Sequence, residues 1–120
     1  MKILLLFFLF VFGCKEKNLL NELETNLYSL NEVYVLMDNE EVHERFDINE
    51  NEYEDLLALK SLVFYEQKEI FIFYKISDSC KEEIQLLNQE NYISFEIDSY
   101  FYYGIDDSNI IEYIKNTLNK

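Results

Sequence analysis

The chain contains no proline and no tryptophan, only two glycines, one histidine and two cysteines. Without proline or glycine-rich stretches it is neither collagen-like, nor proline-rich, nor a flexible linker. Loops that cradle phosphates need several glycines close together, and Gly13 and Gly104 stand far apart. Neither of them flanks a serine, so the glycine–serine–glycine elbow of serine hydrolases is missing too. One histidine and so few thiols leave transition-metal sites short of ligands, and no metal or cofactor is expected. Positive charge is scarce as well: 10 Lys and Arg face 24 Asp and Glu, a formal charge of −14. Such a surface repels nucleic-acid phosphates and attracts basic proteins, so nucleic acid is excluded as a partner.

What the chain does have is apolar and aromatic. Apolar residues make up 49% and aromatics 17% of 120 residues. That supports one small domain with its own core and leaves no room for separate cofactor and substrate domains.

Met1 and Lys2 precede the apolar run Ile3–Phe12, which ends at Gly13-Cys14. A membrane-spanning helix needs roughly 20 apolar residues, whereas about 7–15 suit the apolar region of a secretory signal. Val11-Phe12-Gly13-Cys14 resembles the bacterial lipoprotein signal, in which the cysteine is acylated and becomes the mature amino terminus. The resemblance implies a signal peptide over residues 1–13, lipidation at Cys14, and a protein anchored to membrane in the bacterial cell envelope, periplasmic or surface-exposed. Loss of residues 1–13 removes Lys2 and no acid, leaving 9 basic against 24 acidic residues. With Cys14 lipidated, Cys80 is the remaining thiol, and its spacing to Ile84 and Leu87 reads as a buried packing position on a helix.

Leu19, Leu20, Leu23, Leu27 and Leu30 follow helical spacing, so residues 14–32 are expected to hold the lipid-anchored terminus and an amphipathic helix. Residues 33–120 then read as a single domain of repeating units. Strands are expected at Val33–Met37 and Val42–Ile48 and a helix at Glu50–Lys60. The same order follows as strands Leu62–Tyr65 and Ile70–Ile76 with helix Asp78–Asn88. It returns as strands Tyr92–Ile97 and Tyr100–Ile105 with helix Asp107–Leu118. The junctions Phe46-Asp47-Ile48-Asn49, Tyr74-Lys75-Ile76-Ser77 and Tyr103-Gly104-Ile105-Asp106 lie 28 and 29 residues apart, each ending in a helix-capping residue. The expected fold is therefore α+β: an N-terminal helix, then three β-hairpin–helix (ββα) repeats, with helices on one face of an antiparallel sheet. Ile70-Phe71-Ile72-Phe73-Tyr74 is apolar on both faces, as a central strand requires.

The third unit, from Tyr92 through the tyrosine-rich strand Tyr100-Phe101-Tyr102-Tyr103-Gly104 to Asp106-Asp107, resembles the DKNYY-type repeat family. Those are secreted and envelope-anchored bacterial proteins of unknown function. The resemblance covers residues 60–118, with Glu66-Gln67-Lys68 and Asp98-Ser99 standing where the family has Asp-Lys-Asn. It implies an architecture and carries over no catalytic residue.

Catalytic chemistry is thinly supplied. His43 reads as a solvent-facing residue on an alternating strand, and a Cys80–His43 pair is the one nucleophilic combination available. Asp47-Ile48-Asn49-Glu50-Asn51 matches the first places of a calcium loop, but Glu52 replaces its glycine and Ala58 its final acid. The stretch reads better as a capped helix start. Tyr65, Tyr100 and Tyr102 admit two accounts, core packing or an exposed aromatic face that grips a basic protein. Taken together, the sequence points to a small, acidic, non-enzymatic envelope lipoprotein with a binding or structural role. The alternative is an immunity or inhibitor lipoprotein that neutralises a basic toxin or lytic enzyme.

Overall fold

A computed structural model describes residues 19–30 (28–30 as backbone only), 34–62 and 68–119. Helix α1 (Leu20–Leu30) leads into strand β1 (Tyr34–Leu36), helix α2 (Asn39–Arg45) and a 3-10 turn at Glu50–Glu52. Strands β2 (Asp55–Ser61) and β3 (Glu69–Tyr74) follow, then helix α3 (Asp78–Gln85), the hairpin β4 (Tyr92–Ile97) and β5 (Tyr100–Ile105), and helix α4 (Ser108–Leu118). The five strands form one antiparallel sheet in the order β1-β2-β3-β5-β4. The protein is α+β. None of the helices among the described residues is long and apolar enough to cross a membrane.

Strand β3 holds the centre, and every one of its residues is buried. Successive side chains of a strand point to opposite faces, so its sequence feeds two cores. Ile70, Ile72 and Tyr74 join Leu57, Leu59, Tyr100 and Tyr102 beneath α1 and α4. Phe71 and Phe73 join Ala58, Phe101 and Tyr103 beneath α2 and α3 and the Phe46–Ile48 segment. Phe46 meets the rings of Phe71 and Phe73 edge-on, at centroid distances of 4.7 and 5.8 Å. Burying each such ring contributes about 1.5–3 kcal/mol.

The helices owe their ends to side chains. In α2, Asp38 accepts from the Glu41 N–H at 2.8 Å while the Glu41 carboxylate accepts from the Asp38 N–H, a reciprocal capping box. Glu41 also pairs with Lys60 of β2. The Lys60 hydrogen bond, then the Asp38 N–H, hold the Glu41 carboxyl below its ordinary value. Ser77 caps α3 through the Cys80 N–H, and Asp107 caps α4 through the Asn109 and Ile110 N–H groups. The apolar stripe of α1 (Leu20, Leu23, Leu27) is buried, and the Leu19 N–H donates to the Tyr100 hydroxyl at 2.8 Å. That bond pins the start of the helix to β5.

Three expectations differ from this fold. Val42–Ile48, expected as a strand, lies largely in helix α2: Val42 and Phe46 stand four residues apart on the buried face of a helix and its C-cap. Glu50–Lys60, expected as a helix, is a 3-10 turn followed by strand β2. Its leucines are good helix formers, but placement between β1 and β3 overrides that preference. The strand expected at Leu62–Tyr65 is replaced by β2 as the partner of β3, and 63–65 lie outside the described residues. The first of the three expected ββα units is thus absent. Strand, strand and helix follow one another in β2-β3-α3, with β2 in place of Leu62–Tyr65, and in β4-β5-α4, but α3 and α4 pack on opposite faces of the sheet and not on the one face expected. Helices cover both faces, because β3 has no polar side of its own to offer water.

Candidate functional site

Strand β1 is three residues long and covers only the far end of β2, pairing Tyr34 with Ser61 and Leu36 with Leu59. The chain then turns away into α2, held last by the Met37 N–H on the Ala58 carbonyl at 2.9 Å. The near end of β2, Asp55–Leu57, is therefore left beside open space between α1 and α2. A groove of about 530 Å³ results. It is lined by apolar side chains (Leu20, Leu36, Met37, Val42, Leu56, Leu57) and by the acids Glu24 from α1, Glu50 from the 3-10 turn, Glu54 just before β2 and Asp55 at its start.

Among the described residues no lysine or arginine lines this groove. Lys75 stands 3.7 Å from Glu54, in a pair that is well exposed and weak. Asp55 turns one carboxylate oxygen back onto the Leu56 N–H at 2.8 Å, which occupies a donor on the open side of β2. Tyr53 sits in the wall with its ring edge-on to Phe73. Burial, then the charges of Glu50 and Asp55, push its hydroxyl above the ordinary tyrosine value. The groove thus combines acids of one sign with apolar side chains, a setting for a cationic, partly apolar chain segment.

A buried ion pair lies on the α2/α3 face of the sheet. Glu69, 4% exposed at the start of β3, accepts from Arg45 Nε at 2.6 Å and from the Tyr92 hydroxyl at 3.3 Å. The Glu69 hydrogen bond holds the Arg45 guanidinium above its ordinary value. Burial, then the Glu69 charge, push the Tyr92 hydroxyl well above its own. These bonds fasten α2 to β3 and, through Tyr92, to β4. Arg45→Ala is expected to lower stability by about 1–3 kcal/mol. This falls short of the 3–5 of a fully buried pair because the Arg45 side chain is 40% exposed. A double-mutant cycle with Glu69→Gln, read by guanidinium melts, should recover part of that loss; additive losses would dissolve the coupling.

Sequence reasoning placed the candidate residues elsewhere. Tyr100 and Tyr102 are 6% and 1% exposed and face the core, not solvent. Tyr100 holds the Leu19 N–H, and Tyr102 stacks on Phe95 at 4.7 Å while donating to the Ile105 carbonyl at 2.7 Å. Of the two accounts of these tyrosines, their contacts are those of packing. Tyr65 and Cys14 lie outside the described residues. His43 is exposed on helix α2, not on a strand, and Cys80 is buried on the inner side of α3, in the core it shares with α2. Among the described residues no group of three or more His, Cys, Asp or Glu is placed to hold a metal ion. Glu50, Glu54 and Asp55 stand close together in the sequence, but nothing in it joins them to Glu24 or to the edge of β2. No family model, curated protein or solved structure matches the chain.

Proposed function

We propose that this chain is a small, acidic, non-enzymatic lipoprotein of the bacterial cell envelope, anchored to membrane through lipid on Cys14, that binds a basic protein partner. The observation that carries the binding role is the groove beside the short strand β1, lined by Glu24, Glu50, Glu54 and Asp55 together with apolar side chains. A formal charge of −14 adds long-range attraction for a basic partner and speeds its arrival. An immunity or inhibitor role, in which the partner is a basic toxin or lytic enzyme, uses the same surface. The envelope assignment rests on the Val11–Cys14 signal.

Two measurements test the reading separately. Cys14→Ser should abolish acyl labelling in vivo and move the protein from the membrane to soluble fractions; unchanged anchoring overturns the lipid assignment. The full-length chain in detergent should bind a lysine-rich amphipathic peptide with amide shifts concentrated at 20–24, 36–37 and 50–58. The affinity should fall at least about tenfold between low and high salt. Shifts scattered evenly over the acidic surface would overturn the groove as the binding site.

A further inference from the structure

The two edges of the sheet are built differently. The β1 edge is short and ends in a helix, which limits what can pair with it. The β4 edge is six residues long, pairs with β5 in unbroken register from Tyr92 to Ile97, and carries a single charged residue, Glu96. It has no bulge, no lysine and, in a chain without proline, no proline. These are the devices by which sheet edges ordinarily refuse another strand.

Which backbone groups are on offer follows from the hairpin. The Asp106 N–H bonds the Asn91 carbonyl at 2.8 Å, and the ladder runs from there in steps of two. Ile93, Phe95 and Ile97 therefore exchange hydrogen bonds with β5, and the N–H and carbonyl groups of Ser94 and Glu96 point outward. Neither outward N–H has a backbone partner among the described residues. The Glu96 side chain is neutralised by Lys81 of α3 at 2.5 Å, so the edge itself carries little net charge. On the other side of β4, Ile93, Phe95 and Ile97 are only partly buried against the α1/α4 core. Phe95 lies between Tyr102 and Lys115, whose Nζ is 4.8 Å from the ring centre.

We infer that β4 is a homodimerisation edge, at which a second copy of this chain adds its own β4 antiparallel across a two-fold axis at Phe95. In that register each Ser94 N–H donates to the Glu96 carbonyl of the other copy, and each Glu96 N–H to the other copy's Ser94 carbonyl. All the outward groups of Ser94 and Glu96 are then used. Phe95 stands opposite Phe95 and Ile93 opposite Ile97, closing the half-exposed apolar stripe into one continuous face. An isologous contact of this kind closes on itself and produces a dimer, not a fibre. The charge of −14 on each copy opposes the association, so it tightens as salt rises. That is the opposite sign to the basic-partner complex, and the two ideas therefore fail separately.

The test is sedimentation equilibrium of the full-length chain in a density-matched detergent, at low and high salt, with amide exchange on the same samples. The expected result is a mass of two chains, tighter at high salt, with the Ser94 and Glu96 amides slowing as protein concentration rises. Ser94→Pro removes an outward N–H that β5 does not use, so the fold should survive while dimerisation weakens more than about tenfold. A monomer at every concentration and salt overturns the inference. So does a dimer whose Ser94 and Glu96 amides stay fast, or one that Ser94→Pro leaves intact. If Ser94→Pro does not fold, the amide exchange of the unaltered chain decides alone.

Discussion

Ile72→Asp should abolish cooperative folding. Ile72 is 0% exposed in the middle of the central strand, with Leu57 on one flank and Tyr102 on the other as register partners. A carboxylate there would meet the apolar side chains of the α1/α4 core and no cation. Burying an unpaired charge costs more than the roughly 4–5 kcal/mol that marks the extreme of single substitutions. Small domains hold only about 5–15 kcal/mol in total. The far-ultraviolet spectrum should lose its thermal transition, while the control Ile72→Val should melt cooperatively with a loss of about 0.5–1.5 kcal/mol. A cooperative melt in the aspartate variant would remove β3 from the centre of the sheet.

Gly104→Ala is expected to have the next largest effect, though it adds one methyl group. Gly104 pairs with Ile70 across β5 and β3. A Cβ at that position would stand 2.5 Å from the Glu69 carbonyl oxygen and 3.0 Å from both the Ile70 Cα and the Tyr102 hydroxyl. The first two are backbone of the central strand, which cannot swing aside as a side chain can. Strands β3 and β5 must part locally, or Tyr102 must give up its bond to the Ile105 carbonyl. Overpacking of this kind costs about 1–3 kcal/mol, and Gly104→Val should cost more. Denaturant midpoints read both, with amide exchange across β3 and β5 expected to quicken first. Wild-type stability in Gly104→Ala would mean that the two strands are not held as closely as described.

The second half of the chain was legible because its local signals agree with its tertiary setting. Ile70–Tyr74 reads as a buried strand and is one, and both strands of the last hairpin fall at the expected residues. The caps Ser77 and Asp107 stand at or beside the expected junctions. The stretch from Asp38 to Ser61 misleads in two opposite ways. Val42-His43-Glu44-Arg45-Phe46 alternates like a strand, while its capping box at Asp38 and Glu41, present in the sequence, decides for a helix. Leu56-Leu57-Ala58-Leu59 has helix-forming side chains, and only its place between two strands makes it extended. The groove was hidden for a related reason. It depends on β1 stopping after three residues, and strand length at an edge is settled by pairing, which no local pattern records.

The bond from Tyr100 to the Leu19 N–H has a consequence for how the domain would sit on a bilayer. It ties Leu19 to β5, and Leu19 stands five residues beyond Cys14, the position a lipid would occupy. Even fully extended, the path from Cys14 to Leu19 spans no more than roughly 18 Å at about 3.6 Å per residue. The groove opens beside that same point, since Leu20, Asn21 and Glu24 are among its walls. On so short a leash, the acidic mouth would hover just above the headgroups, within reach of proteins travelling along the membrane surface and shaded from those arriving from bulk solution.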